Sequence, residues 1–211
     1  MADGVADIEC GPILKIHLEQ EREVPATAPR LAWMLKNADR LVPSDGKLWR
    51  QLRQRVADRV RVEKALASLA AEKVDIPRDL LLEGNTHADC LIECEQVLIW
   101  IEGKRDDWLS ASTKWDITRD QLARNVEAAW WLAKIASEKS KEYRVLICHE
   151  YPLKHHELSL LEGYRHGTWS AGWPHISQAQ RSEFSTRVGT LTWAKIAEEW
   201  PSVNHLMQVA N

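Results

Sequence analysis

The chain has 211 residues and a mass of 24.2 kDa, with 45% hydrophobic and 28% charged residues. That size and composition fit one domain and exclude a multi-module assembly or a disordered chain. Its 28 Lys and Arg against 31 Asp and Glu give a formal net charge of −3, so any contact with nucleic acid or an anionic membrane has to be local. No uninterrupted apolar run reaches the roughly 18 residues of a helical membrane span. Met1-Ala2-Asp3-Gly4 has neither the basic nor the apolar region of a leader peptide, and Cys10, Cys90, Cys94 and Cys148 are too sparse for a disulfide scaffold. A reducing cytoplasm is therefore expected. Tryptophan outnumbers phenylalanine 11 to 1, which points to packing and names no ligand.

In chain order, Ile13 to Leu18 alternates as an edge strand, and a charged stretch punctuated by Pro25 and Pro29 reads as linker. Residues 46–71 contain no proline, and Trp49, Leu52, Val56, Val60, Ala67 and Ala70 recur at helical spacing, predicting one long amphipathic helix. Between Lys47 and Lys64 seven basic residues face only Asp58 and Glu63. Strands are predicted near 80–83, at 88–93 and at 97–104, the last two as a hairpin. Thr118 and Gln121 have capping-box spacing and open a helix over 119–139, with Leu122, Val126, Ala129, Ala133 and Ala136 as its stripe. Residues 143–149 read as a strand buried on both faces. Helices are predicted at 155–165, 177–188 and 191–200, with a loop between His166 and Pro174 whose Trp169 and Trp173 either anchor it or stack on bases. Trp131 and Ile135 fall off the main stripe of their helix and either meet the C-terminal helices or form a homodimer contact.

The chemistry concentrates in the hairpin. A tight loop centred on Glu95 and Gln96 puts Asp89 directly opposite Glu102, whereas a three-residue loop would shift the register by one. Carboxylates opposed across a strand pair have Cβ atoms about 5 Å apart and repel. A divalent cation, Mg²⁺ or Mn²⁺, turns that clash into a binding site. Lys104, two residues after Glu102, projects from the same face and can meet a phosphate or orient water.

Asp89, twelve intervening residues and Glu102-Gly103-Lys104 resemble the motif of the PD-(D/E)XK nuclease superfamily, to which restriction endonucleases belong. The order helix, three strands, helix, strand over residues 46–149 resembles that family's core. Ala88 stands where the literal motif has proline. The resemblance implies an α/β fold, a restriction-endonuclease-like mixed sheet flanked by helices. Residues 1–45 would add a strand and linker, and residues 152–211 further helices, in a single domain. It implies a metal-dependent nuclease in which Asp89 and Glu102 hold one or two cations, Lys104 stabilises charge on the phosphate, and water cleaves the phosphodiester. It also implies a glutamate from the first helix, here Glu63, and a glutamine from the next, here Gln121, which a capping role explains equally well. Glu83 competes as a third carboxylate. Arg50, Arg53, Arg61, Lys64, Arg105, Lys114 and Arg119 are candidate contacts to flanking phosphates, with DNA expected ahead of RNA. The rival readings are an inactive member of the fold that binds nucleic acid or protein, and an unrelated hydrolase of small phosphoesters.

Other signals are weaker. Cys90 and Cys94 lie about 13 Å apart along a strand, too far to share a zinc ion with His87. His155-His156-Glu157 lacks the second histidine of a metalloprotease helix. Neither a Gly-rich phosphate loop nor a Gly-x-Ser-x-Gly elbow occurs.

Overall fold

Two apolar runs, Val97–Lys104 (β5) and Glu142–His149 (β6), pair in parallel near the centre of a five-stranded mixed sheet. The computed structural model describes residues 10–18, 22–71, 76–104, 108–110, 112–150, 153, 155–166 and 172–199. Ile13–Leu18 (β1) forms one edge, antiparallel to Cys90–Cys94 (β4), which pairs antiparallel with β5. Val188–Thr192 (β7) closes the other edge, parallel to β6. A crossover helix, Gln121–Lys134 (α4), joins β5 to β6. Its Leu122, Val126 and Ala129 are fully buried in one core with Leu98, Trp100, Tyr143, Val145 and Ile147. The chain is thus α/β, with helices flanking a mixed sheet.

Several elements depart from expectation. Pro29 starts a helix instead of preventing one: it lies in the first turn of Ala28–Lys36 (α1), where a missing N–H costs nothing, and Thr27 caps it. The predicted 46–71 helix is two helices, Gly46–Val56 (α2) and Arg59–Ala70 (α3). Asp58 breaks it by accepting the Arg61 N–H at 3.1 Å as the N-cap of α3. The predicted strand at 80–83 is absent. Arg78–Leu80 makes a single 3₁₀ turn, and Leu80 and Leu82 bury into a second core with Leu31, Met34, Leu52 and Leu69 from α1–α3. The strand beside β4 is β1, so the three antiparallel strands are not consecutive in sequence. Two short strands, Glu23–Val24 (β2) and Thr86–His87 (β3), pair separately. Helix α4 stops at Lys134, before the predicted 139. Beyond it lie His155–Arg165 (α5), Gln178–Ser185 (α6) and Trp193–Glu199 (α7). Strand β7 takes the gap between two predicted helices, 177–188 and 191–200, together with the adjoining ends of both. Trp131 packs against the sheet-side core and Ile135 is 54% exposed.

A buried ionic network joins the two cores. Arg119 donates to Glu83 through Nε and Nη2 at 2.9–3.0 Å, to Glu127 at 3.0 Å and to the Gly172 carbonyl at 2.8 Å. Arg30 of α1 donates to Glu83 at 3.1 Å and Asp116 at 2.9 Å. Glu127 also accepts from the Thr27 hydroxyl and lies 3.0 Å from His175 Nε2. Gly172 must be glycine, because a Cβ there would sit 2.9 Å from that of Ala123. Trp173 is itself held in place: it is 2% exposed, donates to the Ala123 carbonyl at 3.1 Å and packs edge-on against Tyr164 and Phe184, which leaves no face for a base. Trp169 lies outside the described residues.

Burial alone would raise the Glu127 carboxyl, but Arg119 and His175 outweigh it and hold the group well below the usual carboxylate range. Glu83 is lowered in the same way, burial being outweighed by Arg119 and Arg30. A carboxyl depressed on folding stabilises the fold above its unfolded value and ceases to do so as pH falls through the folded one. Glu127→Gln is therefore expected to cost about 3–5 kcal/mol in urea unfolding near pH 7. The gap between variant and wild type should narrow as pH drops below the ordinary value of 4.5, because the wild type is then losing the same contribution. A gap constant with pH would contradict this assignment.

Candidate active site

The hairpin adopts the direct register. Cys90 pairs with Ile101 and Leu91 with Trp100, so continuing the ladder by one step sets Asp89 against Glu102. Glu95-Gln96 is poor chemistry for a two-residue turn, and the segment leading into β1 compensates. The Glu95 N–H donates to the Pro12 carbonyl at 3.0 Å and the Gln96 N–H to the Cys10 carbonyl at 3.3 Å. Gly11, at φ 66°, passes against Glu95 between these two acceptors. Asp89 is tied to the far strand, its Oδ2 accepting the Gly103 N–H at 2.7 Å.

Asp89 and Glu102 line one cavity of about 340 Å³, together with His87, Gln121, Arg124 and Asn125. Asp89 is exposed at its mouth, whereas Glu102 is only 3% exposed. The Lys104 ammonium lies 3.0 Å from Glu102 Oε1, which also accepts from Gln121 Nε2, and Asn125 Nδ2 donates to Glu102 Oε2 at 3.0 Å. Burial pushes the Glu102 carboxyl upward and Asp89 adds to the shift, while Lys104 and Asn125 pull against it. A cation placed beside both acids would favour the ionised form.

Gln121 reaches Glu102 because it does not cap its helix. Asp120 is the N-cap, accepting the Ala123 N–H at 2.8 Å, and the Gln121 side-chain oxygen accepts the Ser110 N–H at 3.0 Å. Asn125, one turn on, was hidden by the apolar stripe around it. An amide at i and i+4 on the buried side of a crossover helix is the signal that would have found it. Arg124 is another wall residue that the sequence motif does not specify. It donates to the Gly84 and Asn85 carbonyls at 3.2 and 2.7 Å and so ties α4 to the lead-in to β3.

The structure therefore brings together Asp89, Glu102, Lys104 and Gln121, but not the other acidic candidates. Glu63 is exposed on α3 and lines no part of the cavity, because α3 buries Ala65 and Leu69 and turns Val60 and Glu63 outward. Glu83 is consumed by Arg30 and Arg119. Of the proposed phosphate contacts, Arg119 is 2% exposed and saturated by carboxylates, so it cannot meet a nucleic acid. Arg61 is paired with Asp79. Arg50, Arg53, Lys64 and Lys114 are exposed and line no part of this cavity, with Arg53 and Lys114 lying over the rings of Trp49 and Trp115. Arg105 lies outside the described residues.

Among the described residues no group of three or more His, Cys, Asp and Glu converges as metal ligands. A cation here would have two carboxylates and complete its shell from amide oxygens and water, a set that suits Mg²⁺ or Mn²⁺. Asn125 Oδ1 fits this requirement: it is a buried acceptor in the cavity wall with no hydrogen-bond partner among the described residues.

Comparison with protein-family models, curated proteins and solved structures gave no match, so the site is assigned on its geometry. In calorimetric titration with Mn²⁺ near pH 7, Asp89→Asn and Glu102→Gln should each weaken binding by at least about tenfold, and Glu63→Gln should leave it unchanged. Equal binding by all four proteins would place the ion elsewhere.

Proposed function

We propose that this chain is a Mg²⁺- or Mn²⁺-dependent nuclease of restriction-endonuclease-like architecture that hydrolyses phosphodiester bonds, with DNA as its substrate. The observation carrying this reading is the convergence of Asp89 and Glu102 on one cavity, with a lysine ammonium 3.0 Å from the buried acid. Asp89 and Glu102 would hold the cation. When bound, a divalent cation lowers the pKa of water and neutralises charge on a phosphoryl oxygen. Lys104, fixed by Glu102, presents its ammonium to the phosphate, where preorganised positive charge stabilises the charge that builds up in the transition state. Gln121 and Asn125 are positioning residues that hold the Glu102 carboxylate in one orientation.

The reading is tested by incubating wild type and Asp89→Ala with supercoiled, linear and single-stranded DNA in Mg²⁺, Mn²⁺ or Ca²⁺. Wild type should cut in Mg²⁺ or Mn²⁺ and little in Ca²⁺, and the variant should not cut. Equal cutting by the variant would move the chemistry to another site. Binding without cutting by wild type would leave a non-catalytic binding module.

A further inference from the structure

A second cavity of about 340 Å³ opens beside the first. It lies at the carboxyl ends of β6 and β7, and its polar wall consists of His149, Arg165, Thr190, Thr192 and Lys195. Four leucines, Leu161 and Leu191 among them, form the rest. None of its wall residues among the described residues is acidic. Strand register fixes where it lies relative to the candidate active site. Lys104 is level with His149, and His149 with Thr192, while Glu102 is level with Ile147, and Ile147 with Thr190. Residues level across parallel neighbours project from the same face. The basic cavity and the acidic one therefore share a sheet face, with Lys104 between them in register. Adjacent strands lie about 4.8 Å apart, so the backbones at Lys104 and Thr192 are roughly 10 Å apart, a span that a single nucleic-acid strand bridges. Open parallel sheets bind ligands at this carboxyl edge.

The wall chemistry selects the ligand. Arg165 and Lys195 supply the wall's cationic side chains. Arg165 also meets Glu162, a half-exposed residue outside the wall, through Nη1 at 3.2 Å. Thr192 Oγ1 accepts the Lys195 N–H at 3.1 Å, which leaves its hydroxyl proton to donate into the cavity. Two cations and two hydroxyls facing a leucine surface suit a phosphate that carries an apolar, ring-bearing substituent. We infer that the cavity at the ends of β6 and β7 binds a nucleotide of the substrate strand flanking the scissile position. Arg165 and Lys195 contact its phosphate, and the leucines contact its sugar and base. The inference rests on the nuclease reading for its polarity, because the strand is laid across the ends of β5, β6 and β7 with the scissile phosphate at Glu102.

Binding in the absence of metal separates this inference from catalysis. The full chain in EDTA is titrated into a fluorescein-labelled single-stranded DNA of about 12 nucleotides and followed by anisotropy over a range of NaCl concentrations. Lys195→Ala and Arg165→Gln should each weaken binding by about tenfold or more. Each should also lower the salt slope by about 1, and Lys195→Arg should restore both. Lys139→Ala, a charge-matched change at an exposed position before β6, should alter neither. Thermal melts of each variant report folding. Thymidine monophosphate should displace the oligonucleotide from wild type only at far higher concentration, since it fills one subsite; displacement at equal concentration would make the cavity a mononucleotide site and overturn the inference. Wild-type affinity and slope in both Lys195→Ala and Arg165→Gln, or no oligonucleotide binding by wild type, would also overturn it. Failure of the nuclease reading would appear differently, as Lys195-dependent binding with no cutting in any metal.

Discussion

The Arg119 guanidinium, buried between Glu83 and Glu127, is the interaction from which the geometry of the site follows. It sits two residues before α4 and grips a carboxylate on that helix, one on the segment leading into β3, and the carbonyl of Gly172. With the Asp120 cap, the 2.6 Å hydrogen bond from the Tyr164 hydroxyl to Asp120 and the Trp173 contact to Ala123, it leaves α4 little freedom to rotate or slide. That constraint matters because Gln121 and Asn125 reach Glu102 only from one helix rotation. A buried ion pair of this kind is weak evidence for net stability, since an apolar replacement can be as good. Its directional bonds specify one arrangement of helix against sheet, and the site needs that arrangement.

The sheet then sorts charge along its carboxyl edge. At the end of β5 two carboxylates share a cavity, and at the ends of β6 and β7 the wall is basic. The chain as a whole is slightly acidic and would repel a polyanion at long range. Local separation of sign answers that difficulty, with an acidic cavity that takes up a cation next to a basic one that takes up a phosphate. Arginine on α2 and α3 lines neither cavity: Arg61 is spent on Asp79, and Arg53 lies over Trp49.

Legibility from sequence followed the range of the interactions. The hairpin register, α4 and β6 could be read because strand alternation, turn length and helical periodicity are local, and these elements carry Asp89, Glu102, Lys104 and Gln121. What sequence did not disclose depended on distant partners. Leu80 and Leu82 read as strand until helices α1–α3 are present to bury them. The first antiparallel partner of β4 comes from about 75 residues upstream, beyond any local pattern. Arg119 reads from sequence as a phosphate contact and Glu83 as a third carboxylate of the site, since nothing nearby in sequence announces that Arg30 and Glu127 close around them. Asp58, counted only as a charge, is a cap that divides a helix. Asn125 was masked by the apolar residues flanking it, although its spacing from Gln121 was there to see.

Asp89 and Glu102, with Lys104 alongside, are proposed as the seat of a doubly charged cation. The most direct measurement is anomalous X-ray scattering from crystals soaked in Mn²⁺. A manganese peak is expected within coordination distance of carboxylate oxygens from both acids. A saturating soak that leaves this cavity without a peak, or places the only ordered manganese elsewhere, would contradict it.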